Sequence, residues 1–180
     1  MKGIVSTEFL DMVEKEFGYE VVDEIIEQSE LESNGIYTAV GTYHHSEIVQ
    51  LLSHLSLKTK TDAQVLLKAF GGYLFETFLA GYPQFFNEHD NLFGFLNSID
   101  NHIHVEVRKL YPDAALPKFE TQETEDGTLI MTYTSDRKMS ALAEGLIEKS
   151  IVHYKVPHTI ESQLLNEDGS WVRFTIKPKS

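Results

Sequence analysis

Apolar residues recur by threes and fours through most of the first two-thirds of the chain, and the period then changes to two. Ile4, Val5, Phe9, Met12, Val13 and Phe17 form one helical face closed by Gly18. Val21, Val22, Ile25 and Ile26 make a second, shorter amphipathic helix, and Asn34-Gly35 marks a turn. Ile48, Leu51, Leu52 and Leu55 predict a helix within Tyr43 to Leu55, with His44, His45 and His54 in or beside it as surface residues. Thr61-Asp62-Ala63-Gln64 reads as a capping box, the threonine capping the next helix and the glutamine reaching back. That helix runs through Leu79 and is apolar on several faces (Val65, Leu66, Leu67, Phe70, Leu74, Phe75, Phe78), so it is buried on more than one side. Inside it, Gly71-Gly72 permits close approach of another helix or of a flat ligand, and the pattern leaves both open. Gly81-Tyr82-Pro83 ends it.

The stretch from Leu92 to Tyr111 organises the rest. Leu92, Leu96, Ile99, Ile103, Val107 and Leu110 predict one helix with an unbroken apolar stripe. His102 and His104 flank that stripe, each about 100° from Ile103 on a regular helix. An imidazole at such an edge is either a partly buried structural residue or a metal ligand. Read as a strand, the same letters put His102, His104 and Glu106 on one face, a two-histidine, one-carboxylate metal site. The long stripe favours the helix, while β-branched Ile103, Val105 and Val107 keep the strand open.

Beyond Pro112 and Pro117, Leu116–Glu123 and Thr128–Ser135 read as strands joined by an acidic turn ending Asp126-Gly127. Ser140–Tyr154 returns to helix, and strands at Thr159–Leu165 and Trp171–Lys177 follow. The expected fold is α+β: N-terminal helices, then a four-stranded antiparallel sheet with one inserted helix, in a single domain over residues 1–180.

Composition narrows the chemistry. An apolar content of 42 % suits a soluble globule. No apolar run reaches the roughly 18 residues of a membrane span. Glu8, Asp11 and Glu14 stand where a secretion signal would be apolar, and there is no cysteine, so a cytoplasmic protein without disulfides or thiolate metal sites is expected. A net charge of −13 argues against nucleic-acid binding. In an extended chain Tyr133, Ser135 and Arg137 share a face, where two hydroxyls and a guanidinium suit a ligand carrying carboxylates. The bland alternative is a solvated strand end.

These residues reach a known family. Met1-Lys2-Gly3, His104-Val105-Glu106-Val107 with Lys109-Leu110-Tyr111, Pro117, Tyr133-x-Ser135-x-Arg137 and Ala143-Glu144-Gly145-Leu146 together resemble the H-NOX family, the heme-nitric oxide/oxygen binding domains, of the bacterial stand-alone type. The resemblance spans essentially the whole chain. It implies heme b (iron protoporphyrin IX) between the helical and sheet parts, His104 as the axial iron ligand, and Tyr133, Ser135 and Arg137 on the propionates. Pro117 matches the proline that presses on the porphyrin. Phe9, Leu74, Phe78 and Leu142 complete the heme-contacting set.

The departures are informative. Oxygen-binding relatives carry a distal tyrosine where this chain has Leu142, and polar groups where it has Phe9 and Leu74. Some relatives hold zinc with cysteines near the C-terminus; here only His158 remains, a structural histidine. The expectation is therefore a non-enzymatic sensor of nitric oxide and carbon monoxide, relaying heme ligation to a partner such as a sensor histidine kinase or a cyclic-di-nucleotide enzyme. Two alternatives stand beside it: a non-heme metalloenzyme on His102, His104 and Glu106, and a metal-free apolar-ligand or interaction module.

Overall fold

The computed structural model describes residues 1–179. Helices α1 (Gly3–Phe17), α2 (Tyr19–Glu27), α3 (His45–Thr59) and α4 (Ala63–Gly81) come first. Short α5 (Pro83–Asn87) and α6 (Leu92–Ser98) follow, then a π-helical segment (Ile99–Ile103) that runs directly into α7 (His104–Leu110). Strands β1 (Lys118–Glu123) and β2 (Leu129–Thr134) precede α8 (Ser140–His153), and β3 (His158–Leu164) and β4 (Trp171–Pro178) close the chain. The antiparallel sheet has the order β1-β2-β4-β3. The α+β expectation holds, and no described helix is long and apolar enough to cross a membrane.

Two apolar clusters form. In the first, α1 to α4 bury Phe9, Val13, Ile25, Leu51, Leu55 and Phe70. In the second, alternation along β2 and β4 turns Leu129, Met131, Tyr133, Val172, Phe174 and Ile176 inward. They meet Ile147 and Ile151 of α8, Leu92, Phe95 and Leu96 of α6, Phe75 of α4 and Phe86 of α5. Phe78 and Leu146 pack against both clusters and mark the seam.

Local details depart from the sequence pattern. Asp62, not Thr61, caps α4: its Oδ1 accepts from the backbone N–H of Gln64 at 2.8 Å, while the Thr61 hydroxyl donates to the Thr59 carbonyl. The Asp62 carboxylate reaches the N–H groups of both Gln64 and Val65, so the cap shifts by one residue. Leu110, counted in the buried stripe, is 64 % exposed. The loop before α3 is anchored from inside by Glu47, a buried carboxylate accepting from Ser33 Oγ and Tyr37 Oη. Pairing of Lys2 with Thr42 and a hydrogen bond from Gly3 N to Gly41 O then hold the start of α1 on that loop.

The question raised by Gly71-Gly72 resolves toward helix packing. A Cβ on Gly71 would lie 2.2 Å from the Leu142 carbonyl oxygen, and one on Gly145 would lie 2.0 Å from the Lys68 carbonyl oxygen. Helices α4 and α8 therefore cross backbone to backbone. Gly72 faces the flexible Lys149 side chain, whose Cε would be 3.3 Å from an added Cβ. Gly145→Ala should lower stability by about 1–3 kcal/mol, because backbone must move. Gly72→Ala should be neutral or stabilising, with up to about 1 kcal/mol of helix propensity gained. Urea unfolding of the two variants checks this ordering; equal effects would contradict the close crossing.

Candidate functional site

The π-helical segment sets the site. His104 N donates to the Ile99 carbonyl, a five-residue step that inserts one residue into the helical ladder. A regular helix from Leu92 to Tyr111 was the expectation, and the extra residue re-aims everything after Ser98. His104 turns inward, its side chain 11 % exposed, with its ring 5.9 Å from that of Phe119. His104 Nδ1 lies 3.5 Å from Asp100 Oδ1, too long for a hydrogen bond, and is buried without a partner. The same Asp100 oxygen accepts from Phe119 N at 3.2 Å, so one carboxylate ties the helix to β1 and backs the imidazole.

Burial pushes the His104 pKa below the ordinary histidine value, and Asp100 restores part of the loss. A neutral imidazole steadied from behind by a carboxylate is the form a metal accepts. His102 does not join it. His102 faces outward, with Nε2 3.1 Å from Glu88 Oε2 and its ring edge-on to Phe85. Glu106 receives Lys109 at 2.6 Å. Among the described residues no three histidine or acidic side chains converge to hold a metal ion, so the site of His102, His104 and Glu106 is not formed.

Tyr133 and the residues after it are brought together differently from the extended-chain expectation. Strand β2 ends at Thr134, and a turn follows in which Lys138 takes φ 57°. Ser135 Oγ accepts from Arg137 N at 3.2 Å, and Lys138 N donates to the Ser135 carbonyl. Two hydroxyls thus reach the same end of the strand by a turn that the serine itself closes. Tyr133 is buried and its oxygen accepts from Met139 N at 3.1 Å, which leaves the phenolic proton free to donate. Arg137 is half-buried, and no carboxylate among the described residues lies within ion-pair distance of it. Burial pushes its pKa down, opposed by Tyr133. An unpaired, partly desolvated guanidinium in a chain of net charge −13 favours an anion.

The remaining expected residues divide between the clusters. Phe9 is fully buried, edge-on to Phe70 at 5.2 Å, and Leu74 is buried in the same helical cluster, with Leu142 partly buried against it. Phe78 stands on the seam, and Pro117 is partly buried just before β1. Phe119 joins the parts, since its ring is 5.7 Å from Tyr133 and 5.9 Å from His104. Sequence reasoning missed Asp100 and Phe119. Both left a signal: Asp100 precedes His104 by four residues, and Phe119 is the lone aromatic in an otherwise polar, exposed β1. His158 packs on Phe93 with a buried Nδ1, as a structural histidine would.

A neutral buried imidazole, apolar side chains from two clusters and an unpaired guanidinium fit a flat apolar group bearing a metal and carboxylates. A family model described as haem-NO-binding matches residues 2–162. The Fe(II) unliganded H-NOX protein from K. algicida is 44 % identical, with TM-score 0.96, over 100 % of this chain and 97 % of that one. The H-NOX from Shewanella woodyi, solved in the Fe(II)CO state bound to IWP-051, is 39 % identical, with TM-score 0.84, over 99 % of this chain and 95 % of that one. An H-NOX protein from S. oneidensis in the Fe(II)NO state is 25 % identical, with TM-score 0.90, over 100 % of both. A search among curated protein sequences gave no match.

The Asp100–His104 geometry has a measurable consequence. In the metal-free chain His104 should titrate below the ordinary value of about 6.5, and Asp100→Asn should lower it further by removing the opposing charge. Its folded pKa lies below its unfolded one. Its contribution to stability is therefore complete above the ordinary value and is lost as pH falls through it. Histidine ring resonances followed by NMR against pH check both signs; a His104 pKa above the ordinary value would contradict them.

Proposed function

The chain belongs to the haem-NO-binding, or H-NOX, family, and from that membership we propose that it is a sensor of nitric oxide and carbon monoxide using ferrous heme b held by His104. The observation that carries the reading is the buried, unpartnered imidazole backed by Asp100. When bound, ferrous heme would supply a coordination position for a diatomic gas. His104 would hold the iron, with the Asp100 carboxylate 3.5 Å from its Nδ1 supporting the ring electrostatically. Tyr133, Ser135 and Arg137 would donate to the propionates, and Pro117 would lie against the porphyrin. Phe9, Leu74, Phe78 and Leu142 would exclude water on the far side, away from His104.

Discrimination between gases follows from those far-side residues. Oxygen gains negative charge on binding and is held by a distal hydrogen-bond donor, whereas nitric oxide and carbon monoxide need none. Phe9, Leu74 and Leu142 supply no such donor. The α6–π–α7 helix would be the relay, because Asp100 and Phe119 join it to the sheet at the residue that would meet the iron. The reader of that change is a signalling protein such as a sensor histidine kinase or a cyclic-di-nucleotide enzyme.

Heme content after purification tests the axial assignment. His104→Ala should lose heme, or retain it only with added imidazole, while His102→Ala keeps it. The reverse pattern would overturn the assignment. Gas selectivity is tested on the ferrous protein in air, where no stable oxygen complex should form and carbon monoxide should bind. Leu142→Tyr adds one donor worth about 1.5–3 kcal/mol, or roughly tenfold to a hundredfold, and should slow oxygen dissociation accordingly. A wild-type oxygen complex that persists in air would contradict the apolar far side.

A further inference from the structure

Helix α7 is held lightly along its length. Among the described residues His104 is its one buried side chain, while Val105, Arg108, Lys109 and Leu110 are exposed. A helix of about two turns packed through a single residue takes its position from its ends. The front end is the π-helical segment, where Asp100 accepts from the Phe119 amide. The rear end is Tyr111 to Asp113, and it meets two segments far away in the sequence. Asp113 accepts at both oxygens: Thr42 Oγ1 donates to Oδ2 at 2.7 Å, and Lys2 Nζ donates to Oδ1 at 3.3 Å. Lys2 Nζ also donates to Thr42 Oγ1 at 2.8 Å, which closes a ring of three side chains. The same ammonium stands 4.8 Å from the centroid of the Tyr111 ring. The Lys2 side chain is only 13 % exposed, so its stem lies against protein and its charge is used inside the cluster. Lys2 and Thr42 are themselves fixed, by their backbone pairing and by the hydrogen bond from Gly3 N to Gly41 O at 2.8 Å.

We propose that the Lys2–Thr42–Asp113 ring positions His104: it fixes the rear of α7 on the helical layer and so limits how far the imidazole can shift. The consequence for an iron ligand rests on the reading of His104 above, whereas the tie between α7 and the helical layer does not. A single ion pair with one exposed partner would hold such an end weakly. Here a hydroxyl bridges the pair, both carboxylate oxygens are used, and an aromatic face shares the cation, so the members support one another. The two layers then grip the helix at opposite ends, the sheet through Asp100 and Phe119, the helical layer through Asp113. Lys2, Thr42 and Asp113 are positioning residues, acting only through the helix that carries His104.

The test uses the ferrous heme-loaded protein, with hydrogen exchange followed by mass spectrometry and the iron–histidine stretching band followed by resonance Raman spectroscopy. Asp113→Asn keeps the shape and removes the charge, and Lys2→Met keeps the stem and removes the ammonium. Each should speed amide exchange over residues 104–114 about two- to fivefold, the range for losing a partly exposed ion pair. Each should leave exchange in α4 unchanged and move the iron–histidine band. The double variant should exceed neither single one, because the first loss already opens the ring. Lys109→Met, which removes the partner of Glu106 on α7 itself, is the control and should leave the band where it is. Unchanged exchange over 104–114, or an unmoved band, overturns the positioning role and leaves the heme reading intact. Exchange that quickens equally in α4 overturns it too, since the ring then serves stability alone. An unaltered chain that takes up no heme overturns the heme reading and, with it, the positioning of an iron ligand. Where a variant does not fold, Thr42→Val, which removes only the bridging hydroxyl, decides by the same two readings.

Discussion

The structure depends on keeping one uncharged imidazole buried at the junction of a helix and a sheet. Desolvating His104 costs free energy that only a partner can return, and protein hydrogen bonds leave that debt open. Asp100 approaches without bonding it and spends its oxygen on the Phe119 amide. The π-helical step makes this geometry possible. A regular ladder would rotate the residues after Ser98 by most of a residue's angular increment and move His104 off the inner side. A break in helical regularity at the residue of greatest chemical interest is where a functional constraint overrides local propensity.

Around that point the fold is two packed layers with a seam. The helical cluster supplies Phe9 and Leu74, the sheet cluster supplies Tyr133, and Phe78 touches both. Helices α4 and α8 hold the layers together by crossing at Gly71 and Gly145, so close that neither can carry a side chain without backbone movement. Charge follows the same division. Tyr133, Ser135 and Arg137 gather donors at the end of β2.

Much of this was legible in the letters. The switch from a three-and-four period to alternation marks the boundary between helices and sheet, and the strand and helix limits after Pro117 differ from the structure by a residue or two. His104 was singled out over His102, and Tyr133, Ser135 and Arg137 as carboxylate partners, through the family resemblance, since residue type and period left the alternatives open. What escaped detection was geometry finer than a period. A π step leaves no change of composition, so Leu92 to Tyr111 reads as one helix and Leu110 as buried. Helix α5, five residues after Tyr82, is too short to show a period. The turn at Ser135–Lys138 depends on a side chain bonding its own backbone, which the alternation of Tyr133, Ser135 and Arg137 conceals. Asp100 and Phe119 become important only once the helix and β1 are placed side by side.

The central claim is that His104, steadied by Asp100, is the single protein ligand to the iron. Resonance Raman spectroscopy of the ferrous, gas-free protein, prepared with natural-abundance and nitrogen-15 histidine, tests it most directly. The account predicts a five-coordinate high-spin spectrum with one iron–histidine stretching band that shifts with the isotope and moves again in Asp100→Asn. A six-coordinate low-spin spectrum, or the absence of any isotope-sensitive iron–histidine band, would contradict it.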